Sequence, residues 1–497
     1  MEELNKIEEP IHAPLNTEGQ VGEINRHLLV RLHELQPHKK YQANDIGRGN
    51  LFGDVFKDKC RYNWTDKKWY TFGNGVWSDV GQVEISKYAK DLATALVSYS
   101  QIIETDVLLS IYDKIWTRGK RNSMIEDGKD RHYIDTNDLD SNLDLFNCQN
   151  GTLNLKTFEF VDCHNPSDLN SKISNVIYNP KAKSERWEQF VDEIMCGDKE
   201  KVEYLQKVLG YALTGDAQLE ICFILYGPST RNGKSTLTEA FAYMLGERQG
   251  YATGMSPHSL TLQKRHAARP NGDIARLKGF RFVDVAEPPQ GMKLDVALLK
   301  SLTGQDKQVA REVYKSDIEF VFRSKLFCTS NHIPYAEDET VYTSGRIQII
   351  PFDRHFKKDD RQLDLKAILK DPENVTGMFN WCLEGLKKLS ADGFKLTPPQ
   401  SVIQATLEAS RKSDLLGKFF DECMEVQDGN CLKADDVLIH YNAWCIDFGY
   451  KCESKGSFYA DLRERNYMAD TGTVAGITVH NVIKGYRMKH RNNIQIT

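Results

Sequence analysis

The chain reads Ile221-Cys-Phe-Ile-Leu-Tyr226, then Gly227-Pro-Ser-Thr-Arg-Asn-Gly233-Lys234-Ser235-Thr236, then LTEAFAYML and Gly246. The apolar run is short and rich in β-formers, which favours a buried strand. Leu237, Phe241, Met244 and Leu245 share one helical face, and Gly246 is placed to cap the helix. A strand, a glycine-containing loop, Gly-Lys-Ser and a helix form the setting in which a phosphate-binding loop works. Loop N–H groups and the helix N-terminus present partial positive charge to phosphate. Lys234 adds a full charge at the β- and γ-phosphates, and Ser235 is placed to ligate Mg²⁺. The candidate nucleotide contacts are therefore Gly227, Pro228, Ser229, Thr230, Arg231, Asn232, Gly233, Lys234, Ser235 and Thr236. The loop is one residue longer than the usual form, and Pro228 stands where a glycine is expected.

Further along, Gly279-Phe-Arg-Phe-Val-Asp284-Val-Ala-Glu287 supplies an acid. Residues 280–286 read as a buried strand with Glu287 at its carboxyl end, where ligands gather in α/β sheets. Asp284 lies three residues earlier and ranks second as a metal ligand. Lys325-Leu-Phe-Cys-Thr-Ser-Asn331 repeats the pattern, ending on an amide that can orient water or touch the γ-phosphate. Arg346, in SGRIQIIPF, is the candidate for a charge lent to a neighbouring subunit's site. REVYKSDIEFVF reads as a hairpin, and Arg311, Tyr314 and Lys315 near its tip are candidate DNA contacts. The catalytic set is thus Lys234, Glu287, Asn331 and Arg346, with Ser235, Glu287 and Asp284 as metal ligands.

Outward from this α/β segment (218–397), residues 46–217 read as an α+β domain. Trp64, Trp69 and Trp77 fall in aromatic runs broken by Thr65-Asp66-Lys67-Lys68 and Gly73-Asn74-Gly75, which predict short strands around tight turns. Such aromatics suit either a small β core or stacking on bases, and the core is the favoured reading. Stretches 83–127 and 185–213 predict helices, and LFNCQNGTLNL between them predicts paired strands. Residues 1–45 are polar and read as a tail or docking segment. The region 398–497 predicts helices over 402–426, 433–447 and 456–466, then two strands.

The net charge of −5 excludes a global cationic field for nucleic acid, so local basic groups must hold any DNA. No apolar run suits a membrane span, and MEELNKIEEP is no secretory signal. Eleven scattered cysteines without a C-x-x-C pair argue for a cytoplasmic protein with reduced thiols. Cys431, His440, Cys445 and Cys452 match no zinc spacing.

The pieces LFGDVFKDKCRYNWTDKKWY, NGTLNLKT, LQKVLGYALTGDAQ, LYGPSTRNGKST, GFRFVDVAE, LLKSLTGQDKQVAREVYKSDIEF, KLFCTSNHIP and GRIQIIPF occur in one order across more than half the chain. Their succession resembles the superfamily 3 helicases of the phage/plasmid and poxvirus helicase–primase type. The resemblance implies an AAA+-like ATPase core that assembles as a ring, usually a hexamer, with ATP and Mg²⁺ between subunits. Arg346 matches the arginine finger, Lys234 and Ser235 the first nucleotide motif, Glu287 the second and Asn331 the amide sensor. The hairpin matches one that projects into the ring channel. The C-terminal part resembles an appended winged-helix domain, with Ser457–Arg465 as recognition helix and Lys484, Arg487, Lys489 and Arg491 as phosphate contacts. No primase constellation is visible, which implies a separate primase partner. The expected activity is ATP-driven translocation on single-stranded and forked DNA in a phage or mobile-element system, within a bacterial host cytoplasm. An ATP-switched DNA-binding initiator without unwinding, or a remodeller of protein partners, stays open on the residues alone.

Overall fold

A computed structural model describes residues 21–79, 82–104, 115–247, 249–261, 272–289, 292–310, 318–336, 338, 340–357, 364–448, 450 and 452–489. At its centre is a five-stranded parallel sheet. Its strands are β1 (Cys222–Tyr226), β2 (Ala252–Met255), β3 (Phe282–Ala286), β4 (Lys325–Ser330) and β5 (Ile347–Pro351), in the spatial order β5-β1-β4-β3-β2. The strand order interleaves β1 between β5 and β4, so each neighbour pair is joined through a crossover.

The near-continuous apolar text of these strands follows from burial on both faces. Phe223, Leu225, Phe282, Phe327 and Ile350 enter one hydrophobic cluster; Cys222, Ile224, Val283, Val285, Leu326 and Ile349 enter a second on the opposite face. Alternate residues of one strand thus feed different cores, as the two-residue period requires. The first cluster also takes in Phe146, Trp187, Phe190, Val208 and Phe379, so residues on both sides of position 217 share it. Trp187, Phe190, Val191 and Ile194 are buried along the helix Glu185–Ile194, whose first turn is capped by Ser184 accepting from the Trp187 N–H.

Residues 21–45, read from sequence as a polar tail, fold in part. The helix Val21–Leu35 places Leu28, Leu29 and Leu32 in a core with Leu51, Phe52 and Phe56. Leu51–Phe56 is helical as well, because Asn44 caps the helix Asp45–Phe56 through the Gly47 N–H; the strands begin only at Cys60. Cys60–Asn63, Lys68–Gly73 and Val76–Asp79 form an antiparallel meander with turns at the expected places. Its Trp69 and Trp77 are buried, whereas Trp64 is exposed.

At the C-terminal end the expected helix 402–426 breaks. Asp414 accepts from the Gly417 N–H at 2.7 Å and starts a new helix, Leu415–Cys423; the chain then turns into a strand, Met424–Lys433, that the sequence reading lacked. Helices Ala434–Asp447 and Lys455–Glu464 and strands Met468–Val474 and Ile477–Met488 follow, the last strand lying central in a three-stranded antiparallel sheet. Among the described residues no helix is long and apolar enough to cross a membrane, and no cluster of three His, Cys, Asp or Glu is placed to hold a metal ion.

Candidate nucleotide site

The carboxyl edge of the parallel sheet gathers the loop after β1, Glu287 after β3 and Asn331 after β4. α1 (Lys234–Leu245) begins at Gly233, whose φ of 86° lies in the left-handed region. A Cβ there would stand 2.4 Å from Cγ2 of Ile194, so both backbone and space require glycine. Helices beginning at Glu185, Lys199 and Val296 have side-chain caps; α1 has none. Its first-turn N–H groups therefore face the loop without a protein acceptor from a capping residue.

Lys234 is buried at the centre. Its Nζ donates to Oδ1 of Asn331 at 3.0 Å, to Oδ1 of Asn232 at 2.9 Å and to the Gly227 carbonyl at 3.3 Å. Burial lowers its pKa to about 8, against the opposing pull of the Glu287 carboxylate. A cation held by three neutral acceptors and depressed by desolvation is ready to exchange them for an anion. The Asn232 amide fills the interior of the loop and also donates to the Ser229 carbonyl at 2.8 Å. Phosphate entry requires that amide to move, or to become a phosphate contact itself.

The extra loop residue is accommodated by Arg231, which adopts a φ of 62°. Its carbonyl accepts from the Phe356 N–H at 2.8 Å, and the Thr230 carbonyl accepts from Nδ1 of His355 at 3.0 Å. The stretch after β5 thus straps the loop from outside, a feature the sequence reading did not contain. No local pattern in Phe352-Asp-Arg-His-Phe356 announces it; only the three-dimensional return of β5 beside β1 does. Pro228, Ser229 and Thr230 are exposed on the loop, Ser235 is exposed on the first turn of α1 and Thr236 is half-buried.

Glu287 is exposed just past β3, with a φ of 47° and its N–H bonded to the Thr329 carbonyl. Asp284 lies deeper and faces α1 at Thr238. Burial pushes its pKa up to about 6; the Thr238 hydroxyl opposes that shift and Glu239 adds to it. Its Oδ1 is buried without a hydrogen-bond partner. Ser235 sits three residues before Thr238, one turn nearer the loop on the same face of α1. An orphaned carboxylate oxygen facing α1, whose first turn carries the Ser235 hydroxyl, suits a hydrated divalent cation, so Ser235, Asp284 and Glu287 are the residues that would hold Mg²⁺.

The raised pKa of Asp284 has a definite sign. The folded state binds this proton more tightly than the unfolded chain, so the favourable contribution is complete below about pH 4 and is lost as pH rises through about 6. Asp284→Asn is therefore expected to be more stable than wild type at pH 7.5 by about 1–3 kcal/mol without nucleotide or metal. The difference should close toward pH 4. Urea melts across this range test it, and a pH-independent difference would contradict it.

Arg346 does not join this group within the protomer. It precedes β5 at the opposite, amino edge of the sheet, donating to Oε2 of Glu220 and Oγ1 of Thr303 at 2.8 and 2.7 Å. The length of β5 separates it from the loop edge by about 15 Å at roughly 3.3 Å per residue. Arg311, Tyr314 and Lys315 lie outside the described residues. The flanking strands, Lys307–Ala310 and Ile318–Val321, pair antiparallel with Ala310 opposite Ile318. In the C-terminal part, Arg487 pairs with Glu425 and Lys489 bonds the Asp421 carbonyl, while Lys484 is exposed. Arg491 lies outside the described residues. On Lys455–Glu464, Lys455 and Tyr459 both engage Asp435, and the following Arg465 engages Asp414. Cys445 is buried in this part's core, whereas Cys452 is exposed.

The fold and site define an α/β protein with a lysine-bearing loop at the carboxyl edge of a parallel sheet. The D5 N terminal like family matches residues 49–196, and a family of unknown function (DUF5906) matches residues 225–346. The chain is 24% identical over 308 residues to "Putative helicase 022R" of Frog virus 3, a match covering 59% of this chain and 30% of that protein. It is 24% identical over 415 residues to "Putative helicase L207/L206" of Acanthamoeba polyphaga mimivirus, covering 75% and 42%. The matches span well under half the length of these relatives. The apo structure of the NrS-1 C terminal region aligns with 88% of this chain and 99% of that one, at 11% identity and a TM-score of 0.46. The chain is thus similar, over part of its length, to the D5 N terminal like family and to viral proteins named as putative helicases.

Proposed function

We propose that the chain is an ATP-dependent DNA helicase motor, with an AAA+-like P-loop core, an N-terminal α+β domain and a C-terminal winged-helix domain. The observation that carries this reading is the meeting of Lys234 with Asn331 at the carboxyl sheet edge while Arg346 stands at the other edge. In this reading Lys234 exchanges Asn232 and Asn331 for the β- and γ-phosphate oxygens of ATP. The freed Asn331 amide orients the attacking water, and Glu287 takes its proton. Mg²⁺, when bound, supplies positive charge to the phosphates. Arg346 completes the site of an adjoining protomer, which requires a ring; a hexamer is the expected form. Arg311, Tyr314 and Lys315 would line the channel against single-stranded DNA, and a separate primase would supply primers in the host cytoplasm.

A forked duplex with single-stranded controls tests the reading. ATP-dependent strand separation, together with hydrolysis stimulated by single-stranded DNA, is the expected result. Tight DNA binding without separation would instead favour a nucleotide-switched initiator.

A further inference from the structure

A polar cavity lies away from the nucleotide loop. It holds about 540 Å³ between the helices Gln82–Ile102 and Arg118–Asp127. Lys90, Arg118 and Arg121 line it, with Gln82, Ser86 and Asn122 adding neutral hydrogen-bonding groups and Glu126 the one carboxylate. That carboxylate is already engaged by Lys129 at 2.6 Å. Lys90 and Arg118 are exposed, and Lys90 has the Asp91 carboxylate as an electrostatic neighbour.

A second cavity of about 420 Å³ shares Gln82 with the first. Lys67, Lys68 and Lys129 line it beside Tyr62. The two form one polar trough in which cations outnumber carboxylates, on a chain whose net charge is −5. Two tryptophans adjoin the wall residues, Trp64 through its ring and Trp116 through its backbone. Trp64 is 47% exposed and meets Tyr62 edge-on at 5.2 Å, and Lys129 lies 4.7 Å from the same tyrosine ring. Trp116 is 60% exposed, and its carbonyl accepts from Arg121 on the trough wall.

Cations interleaved with aromatic faces suit a flexible polyanion whose bases stack. We infer that this trough binds single-stranded DNA outside the ring channel, with Lys90 and Arg118 on phosphates and Trp64 and Trp116 on bases. The inference rests on the DNA-motor reading and adds a second contact surface to it. Unpaired bases are what the indoles select; a duplex would offer them only its backbone and groove edges.

The test uses the full chain and a fluorescent dT₂₀ oligonucleotide. Lys90→Glu with Arg118→Glu should weaken binding at least about tenfold and flatten the log K against log salt slope by about 1.4, two phosphate contacts at roughly 0.7 each. Trp64→Ala with Trp116→Ala should weaken it about 5-fold or more. DNA-free ATPase and the melting temperature should stay at wild-type values in the charge-reversed variant. Ultraviolet cross-linking of wild type needs no variant, and the cross-links should map to peptides containing Trp64 or Trp116. Unchanged affinity and salt slope in a folded variant, or cross-links confined to 222–351, would overturn the trough and leave the motor standing. Lost binding of polyglutamate with retained oligonucleotide affinity would likewise overturn it, in favour of an acidic protein segment. A wild-type protein that binds no oligonucleotide would overturn both readings.

Discussion

Lys234→Ala should abolish ATP turnover, with a loss of at least about 10²–10³-fold, the scale seen when one preorganised charge donor is removed from developing negative charge. Lys234 is buried, and its Nζ is the shared donor to Asn331, Asn232 and the Gly227 carbonyl. Alanine leaves those acceptors unmatched and removes the full charge at the phosphates. Each buried acceptor left unpaired costs about 1–3 kcal/mol, partly recovered if water enters the gap, so the variant should also melt earlier. Nucleotide binding measured below the melting transition separates the two effects. A folded Lys234→Ala protein that hydrolyses ATP at the wild-type rate would remove the loop from the chemistry.

Arg346→Ala should reduce kcat by about 10³–10⁵-fold while leaving nucleotide affinity nearly unchanged, the signature of a charge contributed from another subunit. Within its own chain Arg346 is tied to Glu220 and Thr303 at the edge of the sheet away from Lys234. The half-exposed Glu220 pair contributes about 0–1 kcal/mol, so the variant should fold. In the proposed ring neither inactive variant would work alone, yet a mixture would place an intact Arg346 beside an intact Lys234 in some interfaces. Partial recovery of ATPase on mixing Lys234→Ala with Arg346→Ala is the expected result. Full activity of an isolated monomer would defeat the shared site.

Much of this arrangement was legible in the residues. The run Cys222–Tyr226 alternates side chains into two cores, and both faces needed covering; that is why it reads as uninterrupted apolar text. Glu287 and Asn331 were placed by counting to strand ends, and β3 and β4 do end immediately before them. What could not be read was long-range. Asn232 was visible only as a loop residue, because its bond to Lys234 depends on how the longer loop folds inward. The strap from His355 and Phe356 joins residues more than a hundred positions apart. The break at Asp414 was hidden because the apolar spacing continues across it, and a side-chain cap rather than a proline or glycine ends the helix. Leu28, Leu29 and Leu32 were diluted by polar neighbours, so their core face did not stand out.

The central claim is that one protomer's Lys234 and another's Arg346 meet on the same triphosphate. A structure of the assembly with Mg²⁺ and a slowly hydrolysed ATP analogue tests it most directly. The account predicts Lys234 Nζ on β- and γ-phosphate oxygens, Asn232 displaced from it, and a neighbouring protomer's Arg346 within hydrogen-bond reach of the γ-phosphate. Nucleotide bound elsewhere, with Lys234 still held by Asn232 and Asn331, would contradict it.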